Sequence, residues 1–115
     1  MIRVLQQDGV TIIELDERYD SLDEQSLEEF GTILLEAASS ASPPALLLDL
    51  TNTRFIGSRF IGLLVRAWKR VQDRKGRMGL CNIPAFCREA LISTRLYNTL
   101  WTPYETRQQA IAAMN

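Results

Sequence analysis

ALLLDLTNTRFIGS, residues 45–58, runs from an apolar block through a polar turn into the start of a helical pattern. Ala45 to Leu50 has the length of a strand but not the in–out alternation of a strand with one wet face. Both of its faces must therefore be covered, which describes a central strand in a sheet flanked by helices. Thr51-Asn52-Thr53 breaks the run. Beyond it, Ile61, Leu64, Val65, Trp68 and Val71 fall at i, i+3, i+4, i+7 and i+10, the inner stripe of an amphipathic helix. That helix begins at Ser58 and closes near residue 75, with Gly76 as the expected C-cap.

Upstream, Ile2–Leu5 and Val10–Leu15 are β-rich runs separated by Gln6-Gln7-Asp8-Gly9, and Asp-Gly at the break signals a hairpin. In DSLDEQSLEEF, residues 20–30, Ser21 and Glu24 have capping-box spacing. Leu27, Phe30, Ile33 or Leu34, and Ala37 then recur at helical spacing, giving a helix from about residue 22 to 38 that Pro43-Pro44 cannot continue. Downstream, Arg77–Ile83 reads as a strand, and Pro84 opens a third helix where its missing N–H costs nothing. Leu100–Thr102 is expected as a last short strand, and Glu105–Met114 as a C-terminal helix with Ala110, Ile111 and Met114 turned inward. The expectation is one α/β domain over residues 1–115: a small mixed sheet of four to five strands, opened by a hairpin and flanked by about four helices.

The composition contains no histidine, so the usual general base at neutral pH and the commonest nitrogen ligand for metals are both missing. Cys81 and Cys87 have a C-x5-C spacing that fits neither a redox pair nor a zinc motif, and read as small apolar core residues. Neither cofactor nor metal is expected. MIRVLQQDG lacks the apolar segment of a signal peptide, and the longest apolar stretch is far short of a membrane span. The reading is a cytoplasmic protein with no membrane insertion.

A net charge of −1 conceals strong segregation. Residues 1–50 hold eleven acids and two bases, whereas residues 54–77 hold eight bases and one acid. The helix after Ser58 is thus basic on its outer side, through Arg66, Lys69, Arg70 and Arg74. Such a face is simply solvated and partly neutralised by the acidic first helix, or a docking face for an acidic partner, or a contact for anionic lipid headgroups or nucleic acid. No recognised nucleic-acid-binding motif is present, so nucleic acid is not expected. Ser58, at the start of that helix, can cap a free backbone N–H. The same position also suits a phosphate, which would face the helix N-terminus beside Arg54 and Arg59. A nucleophile elbow is excluded because Ile56 and Phe60 occupy its glycine positions. No P-loop is present. The carboxylate pairs Asp20/Asp23 and Glu28/Glu29 read as solvated surface.

The hairpin, the acidic helix start Leu22-Asp23 with Glu28-Glu29, LLLDLTNTRFIGS, the helix ending in Lys-Gly and MGLCNIPAFCREAL together resemble a STAS domain of the anti-sigma factor antagonist family. The resemblance covers roughly residues 2–113. It implies a protein-binding module rather than an enzyme, with no catalytic residue. The implied partner is an anti-sigma factor with serine kinase activity, which phosphorylates Ser58 and so breaks the complex. Asp23, Arg54, Gly57, Arg59, Phe60, Arg66 and Lys69 are the residues expected to meet that partner. The family pattern Asp-Ser-Ser/Thr-Gly is Gly57-Ser58-Arg59-Phe60 here, and Arg95 stands where the third helix often has glycine. These departures leave an alternative: a STAS interaction module that is not phosphorylated and serves as a subunit of a larger signalling or lipid-transport assembly. Association as a weak homodimer stays open.

Overall fold

A computed structural model describes residues 2–15, 24–53, 57–94 and 101–114. The expectations for Asp20, Ser21, Asp23, Arg54, Arg95 and Leu100 lie outside these residues. The elements are β1 (Arg3–Gln7), β2 (Val10–Glu14), α1 (Glu24–Ser40), β3 (Ala45–Asp49), α2 (Ser58–Asp73), β4 (Arg77–Cys81), α3 (Ala85–Ser93), β5 (Thr102–Tyr104) and α4 (Arg107–Met114).

The strands form a single five-stranded sheet in the order β1-β2-β3-β4-β5. β1 and β2 are antiparallel, and their register closes at Gln7 opposite Val10. Asp8 and Gly9 both adopt positive φ, 51° and 81°, as a two-residue hairpin turn with the twist of its strands requires. The remaining pairs, β2–β3, β3–β4 and β4–β5, are parallel. β3 is the middle strand and is buried along its whole length, as its unbroken apolar run requires.

The sheet divides the core in two. Ile13, Leu46, Leu48 and Leu80 pack beneath α1, α2 and α3, represented by Phe30, Leu64 and Leu91. Val10, Ile12, Ala45, Leu47 and Cys81 pack on the other face against Ala110, Ile111 and Met114 of α4. Burying each of the larger of these side chains, the valine, leucines, isoleucines, methionine and phenylalanine, contributes roughly 1.5–3 kcal/mol. Cys81 and Cys87 lie in the two separate clusters, both as free thiols.

Three expectations are corrected. The buried stripe of α2 is Phe60, Leu64, Ala67 and Val71, while Ile61, Val65 and Trp68 are only half-buried beside it. α2 is apolar over more than one stripe, and packing against α1 chooses which one faces inward. Gly76 is not the left-handed C-cap: Lys75 takes that conformation at φ 59°. The Lys75 and Gly76 N–H groups close the helix on the Gln72 and Val71 carbonyls, both at 2.9 Å. Glycine is needed at 76 because a Cβ there would fall 2.0 Å from the Pro44 carbonyl oxygen. The last strand sits later than expected, at Thr102–Tyr104, and leaves Trp101 buried in the core.

Candidate functional site

The parallel strands point their carboxyl ends at one edge of the sheet, where ligand and control sites gather in α/β folds. β3 ends there on Asp49, which is 6% exposed. Asp49 Oδ1 accepts hydrogen bonds from the Thr51 N–H at 3.0 Å, the Thr51 hydroxyl at 2.5 Å and the Asn82 amide at 3.2 Å. Oδ2 accepts from Arg107 Nε at 3.2 Å and Nη2 at 2.8 Å. Arg107 also pairs with Glu14, whose other carboxylate oxygen meets Arg3 at 3.2 Å. Burial by itself would raise the Asp49 pKa. The hydrogen bonds from Thr51, Arg107 and Asn82 outweigh it and hold the carboxyl below its ordinary value.

This carboxylate fixes the turn that leads to Ser58. Thr53 N–H returns to the Leu50 carbonyl at 3.0 Å, Asn52 reaches the Leu15 carbonyl at 3.3 Å, and the Cys87 thiol reaches the Thr53 carbonyl at 3.7 Å. Burial pushes the Cys87 thiol up to about 11 and Cys81 to about 12, so both stay protonated at neutral pH.

α2 then starts with Gly57 as its N-cap in extended conformation, φ −103° and ψ 178°. The expectation that Ser58 caps the helix is corrected. Ser58 is the first helical residue; it is exposed, and its hydroxyl makes no hydrogen bond to any described residue. The first turn of α2 contains no acid, so nothing there offsets the positive end of the helix dipole.

Phe60 was expected at the contact surface and is instead core. It is 1% exposed and stacks on Phe30, with ring centroids 5.0 Å apart and planes 3° apart. Its position in the helix aims it at the sheet, so its bulk stays clear of the surface.

The basic face of α2 separates into two groups. Arg70 Nη1 bonds the Leu35 carbonyl and Ser39 hydroxyl of α1 at 3.2 and 3.1 Å, and Arg74 bonds the Ala38 carbonyl at 3.3 Å. α1 has no basic residue in its own last turn, so these two arginines supply charge to its C-terminal carbonyls from the neighbouring helix. Arg66 and Lys69 are exposed and have no ion pair among the described residues. Glu28 and Glu29 are exposed on α1, as their helix-face reading requires.

The Asp49–Arg107–Glu14 network was not foreseen. Asp49 followed by Thr51 is a local turn signal, but Arg107 lies 58 residues away and only the fold brings it there.

A family model described as the STAS domain matches residues 1–110. The chain belongs to the STAS domain family. A STAS anti-sigma-factor antagonist domain protein from Planctomyces limnophilus is 37% identical, with 98% of this chain and 97% of that one covered and a TM-score of 0.90. An anti-sigma factor antagonist from Mycobacterium paratuberculosis is similar at 23% identity, covering 99% and 92% at a TM-score of 0.82. SpoIIAA, a Bacillus cell fate determinant solved in its phosphorylated form, matches at 16% identity over 100% of both chains with a TM-score of 0.71. No curated protein matches the sequence. This STAS chain therefore has the anti-sigma factor antagonist fold, and its neighbours of that type are regulatory binding modules.

Proposed function

We propose that this STAS protein is a phosphorylation-controlled partner switch without catalytic activity of its own, acting in the cytoplasm. In its unmodified form it binds an anti-sigma factor that is also a serine kinase. Within that complex the Ser58 hydroxyl oxygen attacks the γ-phosphorus of ATP. The new O–P bond replaces the bond to ADP, and the hydroxyl proton passes to a base on the kinase. The observation that carries this reading is the placement of Ser58: exposed, with no hydrogen bond to a described residue, on the first turn of a helix that begins with no acid and continues into a cationic face. A phosphoryl group there adds about −1.5 to −2 charges, which the helix N-terminus favours and an acidic partner surface repels.

Gly57, Arg59, Arg66 and Lys69 surround or extend from this position and form the contact surface in the proposal. Burial of Phe60 supports it, because the residue replacing the family's glycine does not obstruct an approaching partner. The fold relative SpoIIAA exists in a phosphorylated form. The test is incubation of the protein with ATP and each histidine-kinase-like ATPase encoded in its genome, followed by mass spectrometry and binding measurements. Phosphate on Ser58, with binding kept in Ser58→Ala and lost in Ser58→Asp, is the expected result. No modification, with equal binding by both variants, overturns the switch and leaves a constitutive interaction module.

A further inference from the structure

A groove of about 490 Å³ runs along the outside of the helical layer between α1 and α2, starting one residue from Ser58. Leu27 and Leu35 of α1 and Leu63 of α2 give it an apolar floor, with Glu28 on one rim and Arg59 and Arg66 on the other. Arg70, next on the same stripe of α2, closes its far end by bonding across to Leu35 and Ser39.

The two glycines facing this groove differ in kind. A Cβ on Gly31 would come within 3.0 Å of Leu63 Cδ2, so the packing of the helices accounts for it. A Cβ on Gly62 would meet nothing within 4 Å. Gly62 is exposed in the interior of a 16-residue helix, where glycine weakens the helix and no contact with the described residues requires it. The open space leaves room for a second backbone to approach closely from outside. Charge indicates what kind. The cations at the closed end are engaged by α1, but Arg66 on the open rim has no ion pair among the described residues.

We propose that this groove seats an acidic amphipathic helix of a partner protein. Its apolar stripe lies on Leu27, Leu35 and Leu63, its backbone crosses Gly62, and a carboxylate meets Arg66. The proposal deepens the partner-switch reading and rests on it in one respect, that the occupant belongs to another protein. It also gives the switch a physical cause: phosphate on Ser58, next to Arg59, places negative charge at the open end of the groove and repels an acidic occupant.

The test titrates the ¹⁵N-labelled full chain with two capped helical peptides of about four turns, sharing one leucine stripe and flanked by glutamates or by lysines. The expected result is saturable shifts of amides in Leu27–Leu35 and Arg59–Arg66 at up to about 1 mM glutamate peptide. The lysine peptide binds roughly tenfold or more weakly, and Gly62→Leu and Arg66→Glu each abolish saturation. Because residue 62 faces open space, both Gly62→Ala and Gly62→Leu melt no lower than the parent, which separates lost binding from lost folding. The proposal is overturned by absence of saturation, by shifts elsewhere, or by equal binding of the lysine peptide. The same shifts on concentrating the protein alone also overturn it, in favour of a second copy. An unmodified Ser58 with peptide binding intact removes the switch and leaves the groove. A modified Ser58 with no groove binding does the reverse.

Discussion

Asp49 stays ionised while nearly excluded from water because five hydrogen bonds converge on its two oxygens, two of them from a guanidinium. Replacement by asparagine leaves Arg107 without a charged partner at that position and reverses the polarity of one oxygen. Asp49→Asn should lower stability by about 2 kcal/mol at pH 7, read by urea denaturation. The pH dependence has a definite sign. The folded pKa lies below the ordinary 3.8, so the stabilisation is present above that value and is lost as pH falls through the folded one. Stability should therefore decline on acidification below about pH 4, and the asparagine variant should decline less steeply. Phe60 provides a separate check. Because it is core rather than contact, Phe60→Ala should cost about 3–5 kcal/mol in the isolated protein, with no partner present.

Along α2 and the turn that closes it, two glycines and four cations have different work, which substitution separates. Gly62→Ala fills open space in a helix interior and should stabilise by about 0.5–1 kcal/mol, read as a higher Tm. Gly76→Ala drives a methyl group into the Pro44 carbonyl and should destabilise by at least about 2 kcal/mol. Arg70→Ala and Arg74→Ala, which remove charge from the α1 C-terminus, should each cost about 0.5–1 kcal/mol, and less at high salt. Lys69→Ala should stay within about 0.5 kcal/mol of the parent, because nothing in the described chain pairs with it. In the sequence these cations form one basic helix. They divide only because α1 ends beside Arg70 and Arg74 and not beside Arg66 and Lys69.

Across the whole molecule, Arg107 ties α4 to the sheet. It stands at the first position of α4 and pairs with β2 and β3 at the edge where the Ser58 turn leaves the sheet. Arg107→Met should lower stability by about 2 kcal/mol and raise hydrogen exchange in α4 and at Thr51–Thr53 together; exchange rising in α4 alone would show that the two are not coupled. The sequence makes legible the order of elements, the hairpin turn at Asp8-Gly9 and the central place of β3, because periodicity and turn chemistry are local properties of the chain. It also determined the family, through a pattern that spans nearly all of its length. The buried stripe of α2, the need for glycine at residue 76, the inward position of Phe60 and the meeting of Asp49 with Arg107 across 58 residues emerge only once the chain is folded. Each of these depends on which atoms of distant segments come within a few ångströms, and a linear pattern carries no such distance.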